Sequence, residues 1–316
     1  MRNSPQGCRP LASRLRRAAG VALNAAILAS LVTLSAPVAA RSSDDTGGSQ
    51  QTLEQTIRVG DQERDYRLYV PASARGRPVP LLVAIHPALG DGDSMEKLTR
   101  FDALADANNF IVAYPTGISK VWNAGSCCGA AMKKNVDDIG FIDAMVAQIK
   151  SSYQIDSTRQ YAAGFSNGAF LVHHIACLEP NDFAAYAVVG GAITTPNCRD
   201  ATPTPILVIH GTKDPRSPWN GGTTEGVYRP PVPDLMQRLA KRNHCASTEK
   251  TTFSSGAAVC QSFDGCGDNE TMLCAMQGVG HQWPGGRSYM PLFLGPNTQD
   301  FDASAQMWQF FQRHHH

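Results

Sequence analysis

The segment Gly164-Phe165-Ser166-Asn167-Gly168 sets a serine between two glycines in the pattern G-x-S-x-G. An apolar run precedes it and a helical pattern follows, so the chain must turn sharply at the serine. Glycines remove the side chains that would clash in such a turn. The Ser166 hydroxyl would then stand above a sheet at a helix N-terminus, where the dipole favours developing negative charge. A hydroxyl is a weak nucleophile until a base takes its proton. In elbows of this kind the partners follow in the chain order Ser, acid, His. His173 and His174 fall inside the helix behind the serine, His210 precedes the candidate acid, and His244 reads as surface. His281 follows an apolar run in the glycine-rich loop Gly278-Val279-Gly280-His281, which can deliver an imidazole to the sheet edge; it is the expected base. The expected acid is Asp214, in His210-Gly211-Thr212-Lys213-Asp214-Pro215 at the end of another apolar run. It would fix the imidazole tautomer and stabilise the imidazolium. Asp182, Asp200, Asp234, Asp264 and Asp268 follow no comparable run.

Acyl transfer also needs two N–H groups aimed at the developing oxyanion. Asn167, directly after the nucleophile, should supply one. The loop His86-Pro87-Ala88-Leu89-Gly90 should supply the other. Proline has no N–H, so the donor is Ala88 or Leu89, with Ala88 preferred. Trp122, Trp219 and Trp283 fall in the same set of loops, and with His86 they are expected to line the substrate site. Flat apolar groups there suit acyl chains, aromatic acids or polymer surfaces. Packing of the loops is the competing role for the tryptophans, and a core position the competing role for His86. Trp308 reads as core. No C-x-x-C pair occurs and adjacent Cys127 and Cys128 cannot readily chelate one ion, so no metal or organic cofactor is expected.

The elements that must position these groups are legible as periodicity. Residues 56–59 and 66–70 read as an antiparallel pair around Gly60-Asp61. Continuous apolar runs at 80–85, 110–114, 184–189 and 205–209 read as strands covered on both faces. A strand at 160–164 ends in the serine motif and a helix over 167–178 follows it. Asp137 or Asp138 can cap a helix carrying Ile139, Ile142, Met145, Val146 and Ile149. Further helices are predicted over 232–242 and 303–313, and a strand over 272–277. Strands alternating with helices imply a mostly parallel sheet with helices on both faces, in one domain spanning 52–316.

Residues 1–40 read as a cleaved signal peptide: Arg14, Arg16 and Arg17 precede an Ala/Val/Leu run, and Val38-Ala39-Ala40 offers a small-residue cleavage site. Residues 41–51 are polar and read as a flexible lead-in. Five of the 28 basic residues and none of the 27 acidic ones leave with the signal, so the remainder is formally acidic by about four charges. That excludes the basic surface a nucleic-acid partner requires. The signal run is too short for a stable membrane anchor. Of nine cysteines, eight remain after Cys8 is removed, an even number that suits disulfides in an exported, secreted or periplasmic, chain. Eight cysteines allow 105 pairings, and no connectivity is assigned.

With these residues in hand, the chain resembles the secreted poly(3-hydroxybutyrate) depolymerase and feruloyl esterase family of α/β-hydrolases. The matching segments are Trp122-Asn123-Ala124-Gly125-Ser126-Cys127-Cys128-Gly129, Val136-Asp137-Asp138-Ile139-Gly140-Phe141, Gly164 to Gly168, His210 to Asp214, and Gly280-His281-Gln282-Trp283-Pro284-Gly285-Gly286. The resemblance implies an α/β-hydrolase fold and puts the family's nucleophile, acid and base on Ser166, Asp214 and His281. This chain reads His86-Pro87 where family members often carry His-Gly. Residues 220–231 and 245–274 diverge and are expected to shape the substrate site. The resemblance implies a polymeric or oligomeric ester as substrate, first a polyester, second a feruloyl or acetyl ester on polysaccharide. A polyamide such as poly(aspartic acid) would need a basic cleft from Lys133, Lys134, Arg216 and Arg229. A different class altogether is a polymer-binding protein that keeps the fold without chemistry.

Overall fold

Uninterrupted apolar segments set the centre of the molecule. The computed structural model describes residues 52–316 apart from 75, 181, 196, 197 and 199–201. The predicted signal peptide (1–40), the lead-in (41–51) and Asp200 lie outside the described residues.

The chain opens with β1 (Leu53–Val59) and β2 (Gln62–Tyr69), an antiparallel pair that turns at Gly60 and Asp61 as predicted. Next come β3 (Val79–Ile85), two short helices α1 (Gly92–Thr99) and α2 (Phe101–Asn108), and β4 (Ile111–Pro115). α3 (Gly129–Lys133) and α4 (Asp138–Ser152) lead to β5 (Ile155–Phe165), α5 (Asn167–Leu178), β6 (Ala185–Val189) and β7 (Ile206–Gly211). A small ribbon of β8 (Gly222–Thr224) and β9 (Val227–Arg229) precedes α6 (Val232–Arg242). The chain closes with β10 (Glu249–Ser255), β11 (Ala258–Phe263), β12 (Thr271–Met276), α7 (Pro291–Leu294) and α8 (Ala303–Phe311).

Ten strands form one sheet in the order β1-β2-β4-β3-β5-β6-β7-β12-β11-β10. The middle, from β4 to β12, is parallel, and both margins are antiparallel. Every residue of β3, β4, β6 and β7 is buried, because helices cover both faces there. At one margin all seven residues of β10 are exposed. α6 buries Val232, Leu235, Met236 and Leu239, the i, i+3, i+4, i+7 stripe that docks a helix on a core. Asp137, rather than Asp138, caps α4: its carboxylate accepts from Gly140 N at 2.9 Å. This is an α/β-hydrolase architecture in a single domain.

Several elements escape the periodic reading, β8, β9, β11 and α7 among them. α1 and α2 occupy a stretch that begins Gly90-Asp91-Gly92, and α1 starts from a reciprocal cap between Asp91 and Ser94. α3 is only five residues long. β10 has no apolar face, so alternation could not reveal it. The cysteines pair as Cys127–Cys128, Cys177–Cys198, Cys245–Cys266 and Cys260–Cys274, the last across adjacent strands where β11 and β12 place the two residues opposite each other.

Candidate active site

Ser166 stands between β5 and α5 with φ 53° and ψ −120°, a backbone geometry that a non-glycine residue holds only under constraint from its surroundings. The constraint is visible. Ser166 N–H donates to Val189 O of the neighbouring strand at 2.9 Å, and Ser166 O accepts from Phe170 N at 3.0 Å. A Cβ on Gly168 would lie 2.3 Å from Ile85 O and 2.5 Å from His86 O, so only glycine lets α5 start this close to the end of β3. The serine side chain is half-buried, and its Oγ makes no hydrogen bond among the described residues. That leaves the hydroxyl uncommitted, as is common for such groups before substrate arrives.

Asp214 and His281 meet at the same edge. His281 Nδ1–H donates to Asp214 Oδ2 at 2.7 Å, and both side chains are almost fully buried. The other carboxylate oxygen, Oδ1, accepts from Arg216 N and Ser217 N, each at 2.7 Å. Burial of Asp214 opposes its charge. The His281 and His210 imidazoles and the Ser217 N–H outweigh it and hold the carboxyl below its ordinary pKa. His210 stands behind the acid: its Nε2 is 3.7 Å from Asp214 Oδ2 and donates to Ser217 O at 2.7 Å. Among the described residues His281 Nε2 has no hydrogen-bond partner, and the ring lies over Phe165 with centroids 5.0 Å apart. The remaining histidines fall where expected: His173 is fully buried with neither nitrogen bonded, His174 bonds Thr195, and His244 is exposed.

Two contacts here were not foreseen. Phe165 occupies the unrestricted position of the motif, so no sequence signal marked it as the surface beneath the imidazole. Gly190, just after β6, has φ 61°, and a Cβ there would lie 3.1 Å from His281 Nδ1 and 3.3 Å from Asp214 Oδ2. The pair Gly190-Gly191 directly after an apolar run was its available sign.

The loop after β3 separates the two proposed oxyanion donors. Leu89 N–H donates to Lys120 O at 2.8 Å, and Gly90 N–H to Pro87 O at 3.0 Å. Ala88 N–H has no partner among the described residues, and Ala88 is exposed. His86 fixes the loop. Its Nε2 accepts from Gly117 N at 2.9 Å, which leaves the proton on Nδ1 to donate to Pro87 O at 2.7 Å. Burial, set against the Pro87 bond, pushes its pKa down to about 4, so the ring is neutral near pH 7.

The expected substrate contacts need correction. His86 and Trp122 are fully buried and Trp283 is 1% exposed, so none of the three offers a face to a ligand. Trp122 is a packing hub instead. Its indole N–H donates to His86 O at 2.9 Å, and its main chain exchanges two hydrogen bonds with the Asn167 side-chain amide. Next to it, Asn123 N–H donates to Asp138 Oδ2 at 2.7 Å, and Asp138 Oδ1 pairs with Arg64 at 2.6 Å beneath the surface. Trp283 bonds Ser304 and meets Phe101 and Phe165 edge-on. Trp219 alone is part-exposed, edge-on to His210. Of the residues expected for a basic cleft, Lys133 and Lys134 are exposed, Arg216 pairs with Glu225, and buried Arg229 donates to Thr224 O and Val227 O of its own ribbon.

A groove of about 570 Å³ is lined by Phe165, the residue before the serine, and not by Ser166 itself. Pro87 to Gly90 form one wall, Phe165 lies at its base, and residues 287–290 form the other wall. Residues 245–274, expected to shape the substrate site, build the far margin of the sheet and do not line this groove. Of the residues that line it, Leu89, Tyr289 and Met290 are 76%, 53% and 48% exposed, and Leu292 and Phe293, next in the chain, are 95% and 71% exposed.

Residues 64–213 match the family described as Esterase PHB depolymerase. The chain is similar to this esterase family. Feruloyl esterase C of Emericella nidulans is 26% identical over 299 residues, covering 92% of this chain and 98% of that protein. NocK of Nocardia uniformis subsp. tsuyamanensis, which bears an esterase name, is 28% identical over 80% of each chain. Among solved structures, an acetyl xylan esterase from Aspergillus awamori shares the fold, with a TM-score of 0.59 at 18% identity over 84% of this chain and all of the other. This chain is a carboxylic ester hydrolase.

Proposed function

We propose that the chain cleaves esters of an apolar hydroxyacyl chain, of the polyester type, by a two-step acyl transfer at Ser166. The observation that carries this reading is the 2.7 Å bond from His281 to Asp214, whose second oxygen is held by two backbone N–H groups at the sheet edge that carries the strained serine. Ser166 Oγ attacks the ester carbonyl carbon and its proton passes to His281 Nε2. The oxyanion is held by the N–H groups of Asn167 and Ala88. Collapse breaks the bond to the alcohol oxygen, which leaves with the proton from His281. Water then loses a proton to His281 and attacks the acyl-enzyme, and the acid is released as Ser166 regains its proton. The apolar groove next to Phe165 supports an extended acyl group. Four disulfides support work outside the cytoplasm, and no helix among the described residues is long and apolar enough to cross a membrane.

A second reading, a feruloyl or acetyl ester on polysaccharide, is favoured by the names of the relatives. A panel of poly(3-hydroxybutyrate), methyl ferulate, acetylated xylan and poly(aspartic acid) separates the two, with release from the first expected to dominate. Ser166→Ala should keep the fold and lose at least about 10⁴-fold of p-nitrophenyl ester turnover. It should also lose labelling by a fluorophosphonate. Undiminished turnover would remove the assignment of the nucleophile, and an unlabelled parent enzyme would favour a binding protein.

A further inference from the structure

We propose that Gln282 is a positioning residue that hangs the apolar rim of the substrate groove on the loop of the catalytic histidine. The proposal rests on the ester-hydrolase reading of His281 given above. Gln282 is 2% exposed, and its amide bonds only to the main chain of residues 289–295. Nε2 donates to Tyr289 O at 2.8 Å and to Gly295 O at 2.9 Å, while Oε1 accepts from Tyr289 N at 3.0 Å. Flanking backbone bonds run the same way: His281 N to Leu294 O at 2.5 Å and Gly280 N to Pro296 O at 2.8 Å. One short stretch, 280–282, therefore presents the imidazole to Asp214 and grips both ends of the rim.

The rim needs such a grip. Tyr289, Met290, Leu292 and Phe293 are 53%, 48%, 95% and 71% exposed, so burial of their side chains cannot fix where the segment sits. Hydrogen bonds must do so instead. A primary amide is the side chain with two donors and an acceptor on one planar head, the set that Tyr289 N, Tyr289 O and Gly295 O require. Glutamate has the same shape but would aim a carboxylate at two carbonyl oxygens. Tyr289 and Met290 line the groove opposite Ala88 and Leu89, so displacement of the rim alters the bed for a long acyl chain. An acetyl group carries a single methyl and offers little to such a bed.

The test compares p-nitrophenyl acetate with p-nitrophenyl octanoate on the full-length enzyme and on Gln282→Ala and Gln282→Glu, each with its melting curve. The expected result is a KM for octanoate raised by about tenfold, the loss of one or two methylene contacts. The kcat for either ester and kcat/KM for acetate should stay within about threefold. Met290→Ala, which leaves the amide untouched, should shift octanoate in the same direction, and carries the test alone if the Gln282 variants do not fold. An equal loss of kcat on both esters would overturn the proposal, because Gln282 would then act through His281. Unchanged octanoate KM in the folded Gln282 variants, or in Met290→Ala, would overturn it as well. Retained turnover in Ser166→Ala would instead strike the underlying reading, and leaves a different signature.

Discussion

The two sides of the groove are held by opposite means. Behind the β3 loop, His86, Trp122, Asn167, Asp138 and Arg64 are buried and Asn123 is part-buried, and their polar atoms interlock from that loop to α4. On the outer side, residues 289–293 expose large apolar groups and rely on main-chain bonds to 280–282. Under the proposed mechanism the difference separates two tasks. Stabilising an oxyanion demands donors that do not move, since their value lies in costing no reorganisation when charge develops. Accepting chains of varied shape asks only for apolar area at a fixed height. The β3-loop wall is thus backed by a buried polar web, whereas the 289–293 rim hangs on main-chain bonds.

Breaking the inner side should have the largest effect. Asp138→Ala leaves Arg64 buried without its partner and frees Asn123, and loss of one member of a buried pair costs roughly 3–5 kcal/mol. Urea unfolding measures it, and a loss under about 1 kcal/mol would mean that the web is not a structural unit. Gly190→Ala comes next. A side chain there is strained at φ 61° and crowds the His281 ring; a displacement of about 1 Å at the proposed base costs on the order of 10²-fold in kcat. Steady-state kinetics at unchanged melting temperature would isolate that effect, and full activity would show that the ring has room to spare. The smallest change belongs to the rim. Leu292→Ser, at a side chain 95% exposed, should leave stability within about 0.5 kcal/mol. A drop of several times that in a denaturant titration would place Leu292 in a packed contact and erase the contrast.

How much of this was legible follows from what each residue does. The sheet centre could be read because strands covered on both faces must be apolar throughout, and the Ser, acid, His order then selected Ser166, Asp214 and His281 as the set to examine. The geometry brings Asp214 and His281 into contact and leaves their roles to be tested by kinetics. The tryptophans misled because residue type near a motif signals burial as readily as ligand contact: Trp122 and Trp283 are walls of the core, not of the groove. The Trp122 to Gly129 and Val136 to Phe141 segments stood out as a resemblance, but their joint purpose, tying Asn123 to Asp138 and Arg64, depends on residues as far as 74 positions apart. Leu89 could not be set aside as a donor until its N–H was seen to be spent on Lys120 O. Gln282 carries no sign in its own motif, because its partners are main-chain groups of residues 289–295.

The bare outer strand β10 bears on how these molecules behave in a crowd. An open sheet margin leaves main-chain donors and acceptors ready to recruit a stranger's strand, and charge on that margin is a common guard against it. Here the strand begins with Glu249 and Lys250 and continues in threonine and serine, interrupted by a lone Phe253. Copies packed side by side at high local density would therefore repel or slip past one another along this margin instead of zipping into a fibre.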